Sequence, residues 1–130
     1  MSIYALVMDY FPDGDLRKFI KQNLRWLQRL RFLNDIALSL RIIHELKIVH
    51  GDLHGGRQKE SLASDVYAFG IIMFRPKIPE GMPPLCSTFM QRCRIADPSK
   101  RPSSEEIHKT SCDWYNSREN TANEELRFPN

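Results

Sequence analysis

Cysteine is scarce. The 130-residue chain has three, Cys86, Cys93 and Cys112. The number is odd and no two stand close together, which argues against a disulfide framework and for reduced thiols in a cytoplasmic protein. Long apolar runs are also missing. The most apolar stretch, Phe69 to Phe74, is far short of the roughly 20 residues a membrane-spanning helix needs, so no membrane contact is expected. No basic residue precedes the apolar N-terminal residues, and Asp9 interrupts them, so no signal peptide pattern is present. Charge of one sign is not in excess. A net charge of +3 without a concentrated basic face argues against nucleic acid as a partner. No repeat or low-complexity tract occurs.

What is present is an ordinary globular composition, 42% apolar and 27% charged, in a chain long enough to bury one proper core. The pattern predicts a mainly α domain over residues 1–115, followed by a polar tail, 116–130, expected to be disordered. Ile3 to Met8 is β-branched and aromatic and predicts a short strand buried on both faces. Phe11-Pro12-Asp13-Gly14 is turn chemistry, and Asp15 is placed to cap a helix over Leu16 to Gln22. Arg17, Lys18, Lys21, Arg25, Arg29 and Arg31 read as a solvated helix face. Leu33, Ile36, Ala37, Leu40, Ile43 and Leu46 recur at helical spacing and predict a core helix over Gln28 to Leu46. A second helix begins at Ser64 or Asp65 and is apolar nearly all round, so it should be buried. Gly70 within it costs about 1 kcal/mol relative to alanine, which implies close packing against a neighbour. Arg75 to Pro84 holds four prolines and reads as an extended connector. Leu85, Phe89, Met90 and Cys93 mark a third helix. Asp97 to Pro102 is a turn, and Ser103 or Ser104 caps a last helix with Glu105 and Glu106 in its first turn, where the macrodipole favours acids.

Between the first two core helices lies His50-Gly51-Asp52-Leu53-His54-Gly55-Gly56-Arg57. Half of the chain's six glycines fall here, so the run is a loop. It carries two imidazoles and one carboxylate within five positions, which makes it the candidate site. The two histidines with a cysteine do not form a metal pattern: the glycines break any helical pairing and no cysteine-rich cluster is near, so no metal ligands are assigned.

Four stretches together resemble the protein kinase family, in its helical C-terminal lobe, and they occur in kinase order. YALVMDYFPDGDL, Tyr4 to Leu16, is similar to the last strand of the small lobe, the hinge and the start of the next helix. IVHGDLHGG, Ile48 to Gly56, is similar to the catalytic loop. SDVYAFG, Ser64 to Gly70, resembles the start of the large lobe's central helix. DPSKRP, Asp97 to Pro102, is similar to the D-P-x-x-R-P turn near the lobe's end. The loop's flavour is closer to the tyrosine-kinase-like side. The resemblance implies a partial kinase-like fold, a hinge plus C-lobe with one short strand. It implies ATP and magnesium as the family's cofactors, a protein substrate or protein partner, and transfer of phosphate to Ser, Thr or Tyr as the inherited activity.

It also implies roles. Asp52 matches the catalytic-loop aspartate and is the candidate base, with His50 a structural residue of that loop. Asp9, Tyr10 and Phe11 would line the adenine slot of the hinge, and Asp15 would contact the ribose. Asp65 would be structural, bonding the loop backbone. Arg101 would pair with the glutamate of A-P-E, and without it is expected to be solvated or re-paired.

The departures are as informative. No G-x-G-x-x-G loop and no V-A-I-K lysine occur in these residues. In the family loop, H-R-D-L-x-x-x-N, the arginine is replaced by Gly51 and the metal-binding asparagine by Arg57. A guanidinium has only donors and cannot ligate a cation. D-F-G and A-P-E are absent, and only twelve residues separate Asp52 from Asp65, where a kinase holds its activation segment. Phosphoryl transfer depends on positioned phosphates and metal, so the chain is expected to be inactive. A pseudokinase-type interaction module is the alternative, or an unstable gene fragment. A central helix stopped near Phe74 leaves apolar surface, so self-association is also expected.

Overall fold

The computed structural model describes residues 3–22, 24–53, 60–74 and 82–127, and these are mainly helical, with no strand among them. The order is α1 (Leu16–Ile20), α2 (Trp26–Glu45), α3 (Leu62–Phe74), α4 (Pro84–Cys93), a short 3-10 turn (Pro98–Lys100) and α5 (Ser104–Arg127). His54 to Arg57 of the candidate loop and residues 75–81 of the proline-rich connector lie outside the described residues.

Helix α2 is the long axis of the core. Its buried residues Trp26, Leu30, Leu33, Ala37, Leu40 and His44 alternate steps of four and three, which keeps them on one stripe. Ile36 and Ile43 flank that stripe and pack against it from partly buried positions. Leu46 stands just past the helix end and is exposed, because the chain has already turned there. Gln28 Oε1 accepts from the backbone N–H of Arg25 at 3.0 Å, closing the first turn, so the helix starts two residues before Gln28. Its largest partner is α5. Helix α1 is held beside it by stacking of Phe19 on Phe32, with ring centres 4.8 Å apart.

Helix α3 carries the most deeply buried aromatic, Phe69, together with Val66, Ala68 and Ile72. It starts earlier than Ser64. Ser61 caps it: Ser64 N–H donates to Ser61 Oγ at 3.1 Å, and Ser61 N–H donates back to Ser64 Oγ at 2.9 Å. That reciprocal pair is a capping box with serine in place of glutamate. In α4 the buried set is Cys86, Phe89, Met90 and Cys93, while Leu85 is exposed. Phe89 meets Trp114 of α5 edge to face at 5.5 Å.

Two expectations fail for clear reasons. Ile3 to Met8 forms no strand. Ile3, Tyr4, Leu6, Val7 and Met8 are all exposed, and a strand needs a neighbouring edge for its backbone groups, which no described residue supplies. Helix α5 does not end near Asn116 but continues to Arg127. The polar residues after Asn116 include no glycine and no proline before Pro129, so nothing there stops a helix already started. Ser103 Oγ accepts from Glu106 N–H at 3.1 Å to cap it.

No helix among the described residues is long and apolar enough to cross a membrane.

Gly70 fixes the approach of α3 to α4. A Cβ there would lie 2.9 Å from Cys93 Cβ, 2.9 Å from Arg94 Cγ and 3.3 Å from the Met90 carbonyl oxygen. Alanine would gain about 1 kcal/mol in helix propensity, but forcing the two helices apart costs about 1–3 kcal/mol. Two of the three atoms belong to the α4 backbone or sit next to it, so the clash should win. Gly70→Ala is expected to lower stability by about 1 kcal/mol in urea unfolding. A more stable variant would show that the two helices have room to part.

Candidate functional site

The site is built from the end of α2, the residues after it and the start of α3. Helix α2 closes with a Schellman turn: Lys47 N–H donates to the His44 carbonyl at 2.9 Å and Ile48 N–H to the Ile43 carbonyl at 2.9 Å. Lys47 takes the left-handed conformation there, φ 60°, a position usually given to glycine. This turn sends the chain back toward α3 and brings His50 and Gly51 over the first turn of that helix.

Asp65 receives them. Its Oδ2 accepts from His50 N–H at 2.8 Å and its Oδ1 from Gly51 N–H at 2.9 Å. His44 Nε2, from α2, lies 2.9 Å from Oδ2. The His44 and Asp65 side chains are 6% and 1% exposed. Gly51 has φ +76°, a conformation that places its N–H on the carboxylate and that an L side chain adopts with strain. A Cβ there would also stand 3.1 Å from Glu60 Cδ. Gly51 is therefore in a left-handed turn.

Asp52 follows directly and is exposed. Its N–H donates to His50 Nδ1 at 3.2 Å, so the exposed His50 ring is turned back over its own loop. Leu53 next to it packs against the core. Asp9, Tyr10 and Phe11 are exposed and outside regular structure. Asp15 caps α1, accepting from Lys18 N–H at 2.9 Å.

Arg101 is re-paired to backbone. It donates to the carbonyls of Ile95 at 2.8 Å, Ala63 at 2.9 Å and Ala96 at 3.3 Å, and its guanidinium lies 4.9 Å from the Tyr67 ring centre. It thereby ties the turn before α5 to the first turn of α3, beside a cavity of about 410 Å³ that His44 and Ser103 also line. In the same turn Asp97 accepts from the Ser99 hydroxyl at 2.7 Å and its N–H at 3.0 Å, and these bonds hold its carboxyl below the usual range.

No family model matches the chain. Over 53 residues it is 45% identical to the inhibitor of nuclear factor kappa-B kinase subunit beta of Bos taurus. It is 43% identical to the proteins of that name from Mus musculus and Rattus norvegicus. The matched stretch is 37% of this chain and 7% of each of those proteins, so the chain spans a small fraction of the relatives it matches. A short part of the chain is thus similar to a kinase subunit, and the mainly helical structure is compatible with a partial helical lobe.

His44 is the member of the site that sequence reasoning missed. The signal was there: it continues the stripe Leu33, Ala37, Leu40 one step further, at a position where a lone polar residue needs a buried partner.

Asp65→Ala leaves two loop amides and the His44 ring without their acceptor. Removing one partner of a buried pair costs about 3–5 kcal/mol, and that loss is expected from urea unfolding. Asp52→Ala, at an exposed position, should stay within about 0.5 kcal/mol of the parent. Equal effects of the two substitutions would remove Asp65 from its place in this account.

Proposed function

We propose that this chain is a protein kinase-like helical domain that does not itself transfer phosphate. The observation that carries the reading is the Asp65 junction. A buried acid at the start of α3 holds the backbone of His50 and Gly51, immediately before the exposed Asp52. A loop aspartate presented in this way, within a chain part of which is similar to a kinase subunit, supports kinase ancestry.

Activity needs more than presentation. The transferring phosphate must be cradled and its charge neutralised by metal. The residues present do not fit magnesium nucleotide. Asp52 offers one exposed carboxylate, and among the described residues no three His, Cys, Asp or Glu side chains gather into a group that could hold a metal ion. Arg57 occupies the family's metal-binding asparagine position and brings a positive charge. Asp9, Tyr10 and Phe11, the residues that would line an adenine slot, are exposed.

A second reading is favoured by a specific observation. Ile3, Tyr4, Leu6, Val7 and Tyr10 are each more than four-fifths exposed on an apolar segment outside regular structure. Such a segment suits pairing with another protein or with a second copy of the chain. A non-catalytic interaction module of kinase ancestry uses this surface and leaves Asp52 idle.

The test is thermal unfolding with micromolar nucleotide. Magnesium ATP is expected to leave the midpoint unchanged, because a ligand that does not bind the folded state cannot shift it. A rise with magnesium ATP that EDTA abolishes would overturn the inactive reading.

A further inference from the structure

Two features lie outside the Asp65 site. The first is the N-terminal segment, where Tyr4, Leu6, Val7 and Tyr10 are between 85% and 93% exposed. Residues 3–15 hold three acids, Asp9, Asp13 and Asp15, and no lysine or arginine. The second is a cleft of about 190 Å³ between the starts of α2 and α4 and the middle of α5, lined by Trp26, Leu30, Leu85, Cys86 and Trp114. Leu85 stands there 70% exposed. A cavity of about 150 Å³ accepts a benzene ring, so the cleft has room for one aromatic side chain.

The two features are complementary. Leu16 to Asn34, which runs through α1 into the part of α2 that walls the cleft, holds six lysines and arginines and no acid. Of these, Lys18, Lys21, Arg25 and Arg31 are exposed. Asp9 precedes Tyr10 as Arg25 precedes Trp26, which sets an acid beside the ring and a base beside the cleft. Area also fits. Tyr4, Tyr10 and Phe11 can each bury about 150–250 Å². Two copies exchanging their segments bring twice that set, enough with the aliphatic side chains for the roughly 1,200–2,000 Å² of a specific interface. In the single chain the segment stays exposed, and reciprocal exchange closes a two-fold pair with no segment left over.

We propose that two copies of this chain form a closed dimer in which the N-terminal segment of each lies on the α2–α4–α5 cleft of the other. The Tyr10 ring enters the cleft, and Asp9 lies against Arg25. This rests on the reading of the segment as an interaction surface, and it names the partner as a second copy.

The experiment is sedimentation equilibrium of the full chain, with circular dichroism as the check on folding. The parent is expected to fit a monomer–dimer equilibrium in the micromolar range. Asp9→Lys and Arg25→Glu, both at exposed positions, should each weaken dimerisation at least about tenfold with helix content unchanged. Mixed in equal amounts, the two variants should recover the dimer, because each segment then meets an opposite charge on its partner. Tyr10→Ser should weaken the dimer as well. A parent that stays monomeric at hundreds of micromolar would overturn the proposal. That result would leave the magnesium ATP measurement untouched, so the dimer and the inactive kinase-like domain fail separately. A mixture that dimerises no better than either variant alone would also overturn it, as would assemblies that grow without limit.

Discussion

Burying a carboxylate is costly unless donors surround it. Asp65 is 1% exposed and is met by the His50 and Gly51 amides and the His44 ring. The donors come from two pieces of chain, the last turn of α2 and the loop after it, and the acceptor from a third, the first turn of α3. Each piece is shaped to deliver its group. The Schellman turn at Lys47 reverses the chain, Gly51 adopts a left-handed conformation, and the Ser61–Ser64 cap fixes where α3 begins. With this junction in place, Val66 and Phe69 of α3 share one core with the α2 stripe, and Gly70 lies close against α4.

A junction of this kind holds a loop in place without making it reactive. Beyond it the sequence runs from the exposed Asp52 through Leu53, His54, Gly55 and Gly56 to Arg57. Arg101 illustrates the same separation of scaffold from activity. Its donors are spent on three backbone carbonyls that bind the turn before α5 to α3. Both residues have a stabilising task whether or not a phosphate is ever bound nearby, which is compatible with the proposal of a kinase-like domain that does not transfer phosphate.

Much of the helical framework was legible in the sequence. The periodic stripe through Leu33, Ala37 and Leu40 located α2, and Ser103 with Glu105 and Glu106 located the start of α5. The failures have physical causes. Ile3 to Met8 has strand composition, but pairing is a tertiary property and composition does not supply the partner. Polarity after Asn116 was read as an end to structure, whereas no glycine or proline interrupts the chain before Pro129 and α5 runs on to Arg127. The sequence places Leu85 on the buried face of α4, but that face, through Phe89, Met90 and Cys93, continues back to Cys86, and Leu85, one residue away and about 100° round the helix, is exposed. Part of the site could be read from the resemblance to the kinase catalytic loop and central helix, which pointed to Asp65 and Asp52. His44 could not, since its role depends on which buried acid the fold sets beside it, some 21 residues further along the chain.

The most direct test is hydrogen exchange at the amides of His50 and Gly51 in the unmodified protein. Both belong to a loop, and His50 itself is exposed, so position alone would leave them fast. If their N–H groups are held on Asp65, they should exchange nearly as slowly as the core amides of Leu40 and Phe69, opening only when the domain does. Exchange at the rate of Tyr4, in the exposed N-terminal segment, would mean that the loop opens independently and that Asp65 is not the constraint on which the fold depends.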